Sequence, residues 1–108
     1  MLKTSIHAAD GALMLCMTGH AGYAPHGQDI VCAAASILAT ALENALLLTH
    51  TQRYAESGAG KTILTAEDTP DIRAMYRMTA IGLAQLAAAY PEHVSVCLDD
   101  FALCPQPP

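Results

Sequence analysis

The longest apolar run in this chain extends from Ile30 to Thr49 and is interrupted by Ser36, Thr40, Glu43 and Asn44. A membrane-spanning helix wants about 20 predominantly apolar residues, and these interruptions argue instead for a helix buried inside a soluble protein. Such a helix needs a partner layer, and 108 residues supply one core rather than two, so a single domain over 1–108 is expected. An apolar fraction of 53% with only 14% charged residues excludes disorder. Five Lys+Arg against 10 Asp+Glu give a net charge of −5, which argues against a binder of nucleic-acid phosphates. That charge would attract a basic polypeptide, weakly. Residues 1–7 lack the apolar stretch of a secretory signal. The four cysteines are therefore expected as reduced thiols in a cytoplasmic protein with no membrane contact.

Residues 2–7 and 12–18 read as strands joined by Asp10-Gly11, a strong hairpin signal between apolar segments. The stretch from Thr18 to Gln28 then carries Gly19, Gly22, Pro25 and Gly27. Loops that long in a compact domain are usually functional. Asp29 is the expected cap of a first helix reaching about His50, with Ile30, Ala34, Ile37, Leu38, Ala41, Ala45 and Leu48 as its core stripe. Cys32, Ser36 and Thr40, with Glu43 beside them, share another face.

A second hairpin is expected from residues 52–57 and 61–65 around Gly58-Ala59-Gly60. Thr69-Pro70 opens a second helix carrying Ile72, Met75, Tyr76, Thr79, Leu83, Leu86 and Tyr90, and Pro91 ends it. A last strand, residues 94–98, precedes a Pro-rich tail. The order ββ-α-ββ-α-β implies an α+β fold with two helices packed on a mostly antiparallel sheet.

Two motifs invite chemistry and fail. Residues 55–62 resemble a phosphate-binding loop, but Ala55 stands where a glycine is needed. The strand residues Ile63-Leu64-Thr65 also follow where that loop requires a helix. The four cysteines and five histidines contain no Cys-x-x-Cys and no helical His pair. Cys16 and Cys97 read as core thiols in strands, Cys104 lies in the tail, and His7, His50 and His93 sit at element ends. His20, His26 and Cys32 form the one set that a metal could use, and the expectation is no metal and no cofactor.

Cys32 stands apart because it falls in the first turn of a long helix. Free N–H groups and the positive end of the helix dipole there favour a thiolate. The same N–H groups are expected to stabilise an oxyanion on an attacked carbonyl. His20 stands at the far end of the glycine-rich loop, and eleven intervening residues can bring its imidazole back to the helix start. Nucleophile plus base is the minimum for cysteine-based acyl transfer. Against this, a first-turn cysteine is more often inert, Asp29 is a routine cap, and Ser36 suits a helix–helix contact.

The segment Gly19-His20-Ala21-Gly22 followed by Gly27-Gln28-Asp29-Ile30-Val31-Cys32-Ala33-Ala34-Ala35-Ser36 resembles the signature of the ribosomal-processing cysteine protease family, Prp. Its pattern is Gly-His-Ala, a glycine-containing loop, then Gly-x-Asp-Ile-Val-Cys-Ala-x-x-Ser, and every fixed position is matched. The resemblance implies a cytoplasmic endopeptidase that removes the N-terminal extension of a large-subunit ribosomal protein, L twenty-seven, and works as a homodimer. It assigns Cys32 as nucleophile and His20 as general base, with Asp29 and Ser36 supporting the site. Asp29 would either orient His20 or only cap the helix. The loop of Gly19, Ala21, Gly22 and Gly27 would close over substrate. Its Tyr-Ala-Pro-His stretch is less charged than in several relatives, which bears on substrate preference. Two other functions fit the same residues: an inert module that binds a ribosomal protein, and a thiol redox sensor.

Overall fold

In a computed structural model, which describes residues 1–58 and 60–98, the chain runs β1 (Leu2–Ala9), β2 (Ala12–Thr18), α1 (Ile30–Leu48), β3 (Gln52–Gly58), β4 (Lys61–Glu67), α2 (Pro70–Ala89) and β5 (Val94–Cys97). Asp10 and Gly11 both take positive φ (53° and 75°), the backbone of the tight hairpin turn that matches strand twist. The pairing of β1 with β2 follows directly, Lys3 opposite Thr18 through Ala9 opposite Ala12. The five strands lie in the order β3-β4-β2-β1-β5, antiparallel except for β1 beside β5. The expected α+β architecture is what the chain adopts.

Alternation along the strands sends Leu2, Ile6, Leu13, Leu15, Met17, Leu64 and Ala66 into the core. Both helices meet that face. Tyr76 of α2 is fully buried, and its hydroxyl donates to the Leu64 carbonyl at 2.9 Å. Burial away from water pushes the phenol well above its ordinary range. Tyr76→Phe leaves that carbonyl short of a partner, with an expected loss of about 1–2 kcal/mol in urea unfolding.

Helix α1 presents a different face from the one its sequence suggested. Val31, Ala35, Ala39, Leu42 and Leu46 are buried, whereas Ile30, Ile37 and Leu48 of the expected core stripe are 58%, 63% and 82% exposed. The helix is apolar nearly all round, so two stripes of helical period compete and periodicity alone cannot choose between them. α1 is also long and apolar enough to cross a membrane by length and composition. Here five of its residues pack into the protein core.

Its C-terminal end has no glycine. His50 supplies the left-handed residue instead (φ 55°), and Thr51 and His50 donate to the carbonyls of Leu46 and Leu47. Cys97 is exposed and Cys16 half-buried, so neither is the core thiol expected of it. Cys16 sits on the sheet face opposite Leu15 and Met17, away from the helices. Cys104 and the Pro-rich tail lie outside the described residues.

Candidate active site

The site forms where β2, the loop after it and the first turn of α1 converge. Strand β2 ends at Thr18, and Gly19 turns the chain with φ 87°. A Cβ there would sit 2.6 Å from the Met1 carbonyl oxygen, so only glycine lets the chain pass the start of β1. The Gly19 N–H donates to the Gly60 carbonyl at 2.9 Å, which ties the end of β2 to the β3–β4 turn. His20 follows, exposed, with its imidazole over that turn. Its Nε2 would lie 3.3 Å from a Cβ built on Gly60.

Ala21 then turns inward, 2% exposed, and its N–H donates to the Cys32 sulfur at 3.2 Å. The loop therefore starts anchored on the thiol itself. Gly22 and Gly27 lie farther along, exposed, in the wall of the cleft.

Asp29 organises the other end. Its Oδ1 accepts from the N–H groups of Val31 (3.0 Å) and Cys32 (2.9 Å), the geometry of a helix cap. Its Oδ2 accepts from Tyr23 (2.9 Å) and Ala24 (3.3 Å), so the same carboxylate fastens the loop to the helix. The Cys32 N–H, with those of Ala24, Tyr23 and Val31, holds the Asp29 carboxyl below the usual carboxylate range. It makes no hydrogen bond to His20. In this arrangement Asp29 is a cap and a loop anchor rather than an orienter of the imidazole.

This corrects one expectation. The N–H groups of Val31 and Cys32 are committed to the Asp29 carboxylate, and that of Ala33 to the Asp29 carbonyl. They are not free donors for an oxyanion. The carboxylate charge also offsets part of the positive field of the helix end.

Two adjoining hollows meet at Cys32. One, of about 440 Å³, is lined by His20, Gly22, Ala24, His26, Gly27, Asp29, Cys32, Ala33 and Ser36. The other, of about 240 Å³, shares His20, His26, Cys32 and Ser36 and adds Leu2, Met17, Gly58, Gly60, Lys61 and Thr62. The four predicted polar residues, His20, Asp29, Cys32 and Ser36, thus line one cleft. Ser36 sits one helical turn beyond Cys32 and is exposed. No hydrogen bond joins His20 to Cys32 in this conformation.

Sequence reasoning overlooked two parts of the cleft. His26, in the sequence a candidate metal ligand alone, lines both hollows. The turn around Gly58 and Gly60, expected as a hairpin turn that fails as a phosphate loop, forms a wall of the cleft. No signal short of the β2–β4 register would have placed that turn beside His20. Among the described residues, no cluster of three or more His, Cys, Asp or Glu side chains has metal-binding geometry.

Residues 1–95 match the model of the family described as cysteine protease Prp. The fold is shared with the essential ribosomal processing protease Prp of S. aureus in complex with a covalently linked product peptide. That match has a TM-score of 0.81 at 23% identity, covering 92% of this chain and 100% of that one. The same S. aureus protease with a substrate peptide gives 0.75 at 22% identity, again over 92% and 100%. A Streptococcus mutans protein, SMU.848, gives 0.68 at 28% identity, over 91% of this chain and 93% of its own. No curated protein matches significantly. With nearly its whole length accounted for by one family and its fold shared with that family's solved structures, the chain belongs to the Prp cysteine proteases.

Proposed function

We propose that this enzyme is an endopeptidase that removes the N-terminal extension of large-subunit ribosomal protein L twenty-seven, with Cys32 as nucleophile and His20 as general base. The observation that carries the reading is the meeting of two hollows at Cys32, with His20 in the wall of both. A peptide laid through them would cross the sulfur with residues on either side of its scissile bond. Support also comes from the S. aureus relative, whose structures hold a substrate peptide and a covalently linked product peptide.

The chemistry starts with His20 taking the thiol proton as the sulfur attacks the scissile carbonyl. The tetrahedral oxyanion collapses, the C–N bond breaks, and His20 returns the proton to the leaving amine. A water molecule, deprotonated by His20, then hydrolyses the thioester and releases a carboxylate and the free thiol. His20 and Cys32 are not hydrogen-bonded here, so we assign their engagement to the moment the loop closes on substrate. A reactive thiol would thereby be kept from indiscriminate cleavage. Ser36 would bond to the peptide one helical turn beyond the nucleophile. The net charge of −5 suits a basic ribosomal protein, and the reduced thiol suits the cytoplasm.

The test is incubation of the host's L twenty-seven precursor with the enzyme, followed by mass spectrometry of the new N-terminus. We expect a single cut that removes the extension. A precursor left whole, or a host protein with no extension to remove, overturns the substrate assignment.

The exposed apolar face of α1 supports the expected homodimer, since Ile30, Ile37 and Leu48 lie along one side of a single helix. Ile37→Glu places a charge in the middle of that face. In light scattering the variant should show the chain mass of 11.3 kDa, against twice that for the unaltered protein. An unchanged dimer in the variant would remove α1 from the interface.

A further inference from the structure

Ala21 is gripped from both sides. Its N–H donates to the Cys32 sulfur at 3.2 Å, and its carbonyl lies 3.0 Å from His93 Nδ1. A carbonyl only accepts, so Nδ1 carries the hydrogen and the tautomer of His93 is set by this contact. His93 is itself rigidly mounted at the corner between α2 and β5. Its N–H donates to the Tyr90 carbonyl (3.0 Å) and its carbonyl accepts from the Leu2 N–H (2.9 Å). Tyr23, two residues beyond Ala21, packs edge-on against both Tyr90 (centroids 5.3 Å apart) and His93 (5.4 Å). The entry half of the loop is thus fastened to a part of the chain about seventy residues away.

We propose that His93 is a positioning residue for the nucleophile: its Nδ1–H fixes the Ala21 backbone so that the Ala21 N–H stays aimed at the Cys32 sulfur. The proposal rests on the reading of Cys32 as the reactive thiol. With two hydrogen bonds bracketing one residue, rotation about its backbone would break at least one of them. An N–H donor strengthens its bond as sulfur becomes anionic, so the donor favours the thiolate that attacks. His93 lies behind the loop and acts through Ala21.

The test is iodoacetamide alkylation of Cys32, followed by mass spectrometry of its own peptide, from pH 6 to pH 10. His93→Phe keeps an aromatic ring against Tyr23 and removes the donor. His93→Asn returns an N–H near the position of Nδ1. With His93→Phe, labelling should slow about three- to tenfold near pH 6–7, the worth of one hydrogen bond. The two rates should converge as pH rises to 10. His93→Asn should restore the rate at low pH. His20, His26, Asp29 and Lys61, the titratable groups that line the two hollows beside Cys32, are present in every protein compared. Equal labelling of His93→Phe and unaltered protein across the range overturns the proposal. So does a change by one constant factor at every pH, which would mark altered access rather than a lost donor. If His93→Phe does not fold, His93→Gln takes its place, because its amide reaches the far nitrogen's position and leaves the Ala21 carbonyl without a donor. No peptide substrate enters this assay, so its outcome is independent of which ribosomal protein is cut.

Discussion

Cys32→Ser should lower kcat/KM for the precursor peptide by at least about 10³-fold, and His20→Ala by about 10²–10⁴-fold, with both proteins still folded. A hydroxyl in place of the thiol is far less ionised at neutral pH and leaves poorly from the acyl intermediate, so both halves of the reaction suffer. In the proposed mechanism, His20→Ala removes the group that would carry the proton from sulfur to amine. The double variant should be scarcely worse than Cys32→Ser alone, since residues acting as one unit do not contribute additively. His20 is exposed and Cys32 half-buried at the cleft rim, so neither change opens a core cavity. Melting temperatures should stay within a few degrees of the unaltered protein. Full cleavage by either single variant would sink the dyad. A chain that binds precursor without cutting it would point to the inert binding module.

How much of this was legible in the sequence depends on how local the signal was. The turn at Asp10-Gly11, the cap at Asp29 and the Thr69-Pro70 start of α2 were all readable, because each is a matter of neighbouring residues and allowed backbone angles. The loop and its flanking His20 and Cys32 were readable for the same reason. What sequence reasoning missed was contact between distant segments. The burial of Val31, Ala35 and Ala39 instead of Ile30, Ala34 and Ile37 depends on how α1 sits on the sheet, and an all-round apolar helix does not declare that. The approach of Gly60 to His20 follows from the pairing of Thr18 with Lys61 across β2 and β4. His93 read as a bland residue at an element end, yet it reaches the Ala21 carbonyl. The saturation of the first-turn N–H groups by Asp29 could have been anticipated, since a capping carboxylate takes the donors an oxyanion would use.

Asp29→Ala should lower the melting temperature by about 5–10 °C and cut cleavage by about 10²-fold, a loss of both stability and activity from one change. One carboxylate serves four backbone donors. Oδ1 takes Val31 and Cys32, and Oδ2 takes Tyr23 and Ala24, so its removal frays the helix start and frees the loop together. Asp29→Asn separates the two effects. Its single carbonyl oxygen caps the helix well but cannot also accept from the loop, so stability should largely return while cleavage stays low. Acid provides an independent check. The Cys32 N–H above all, then those of Ala24, Tyr23 and Val31, depress the carboxyl, so its folded value lies below its unfolded one. The stabilisation is therefore complete at neutral pH and fades as pH drops through the ordinary carboxylate range, about 4, toward the lower folded value. The gap in melting temperature between unaltered protein and Asp29→Ala should shrink from pH 7 to pH 3. An equal gap at both would mean that the charge on Asp29 contributes nothing. A fully active Asp29→Ala enzyme would mean that the loop needs no anchor at the helix start.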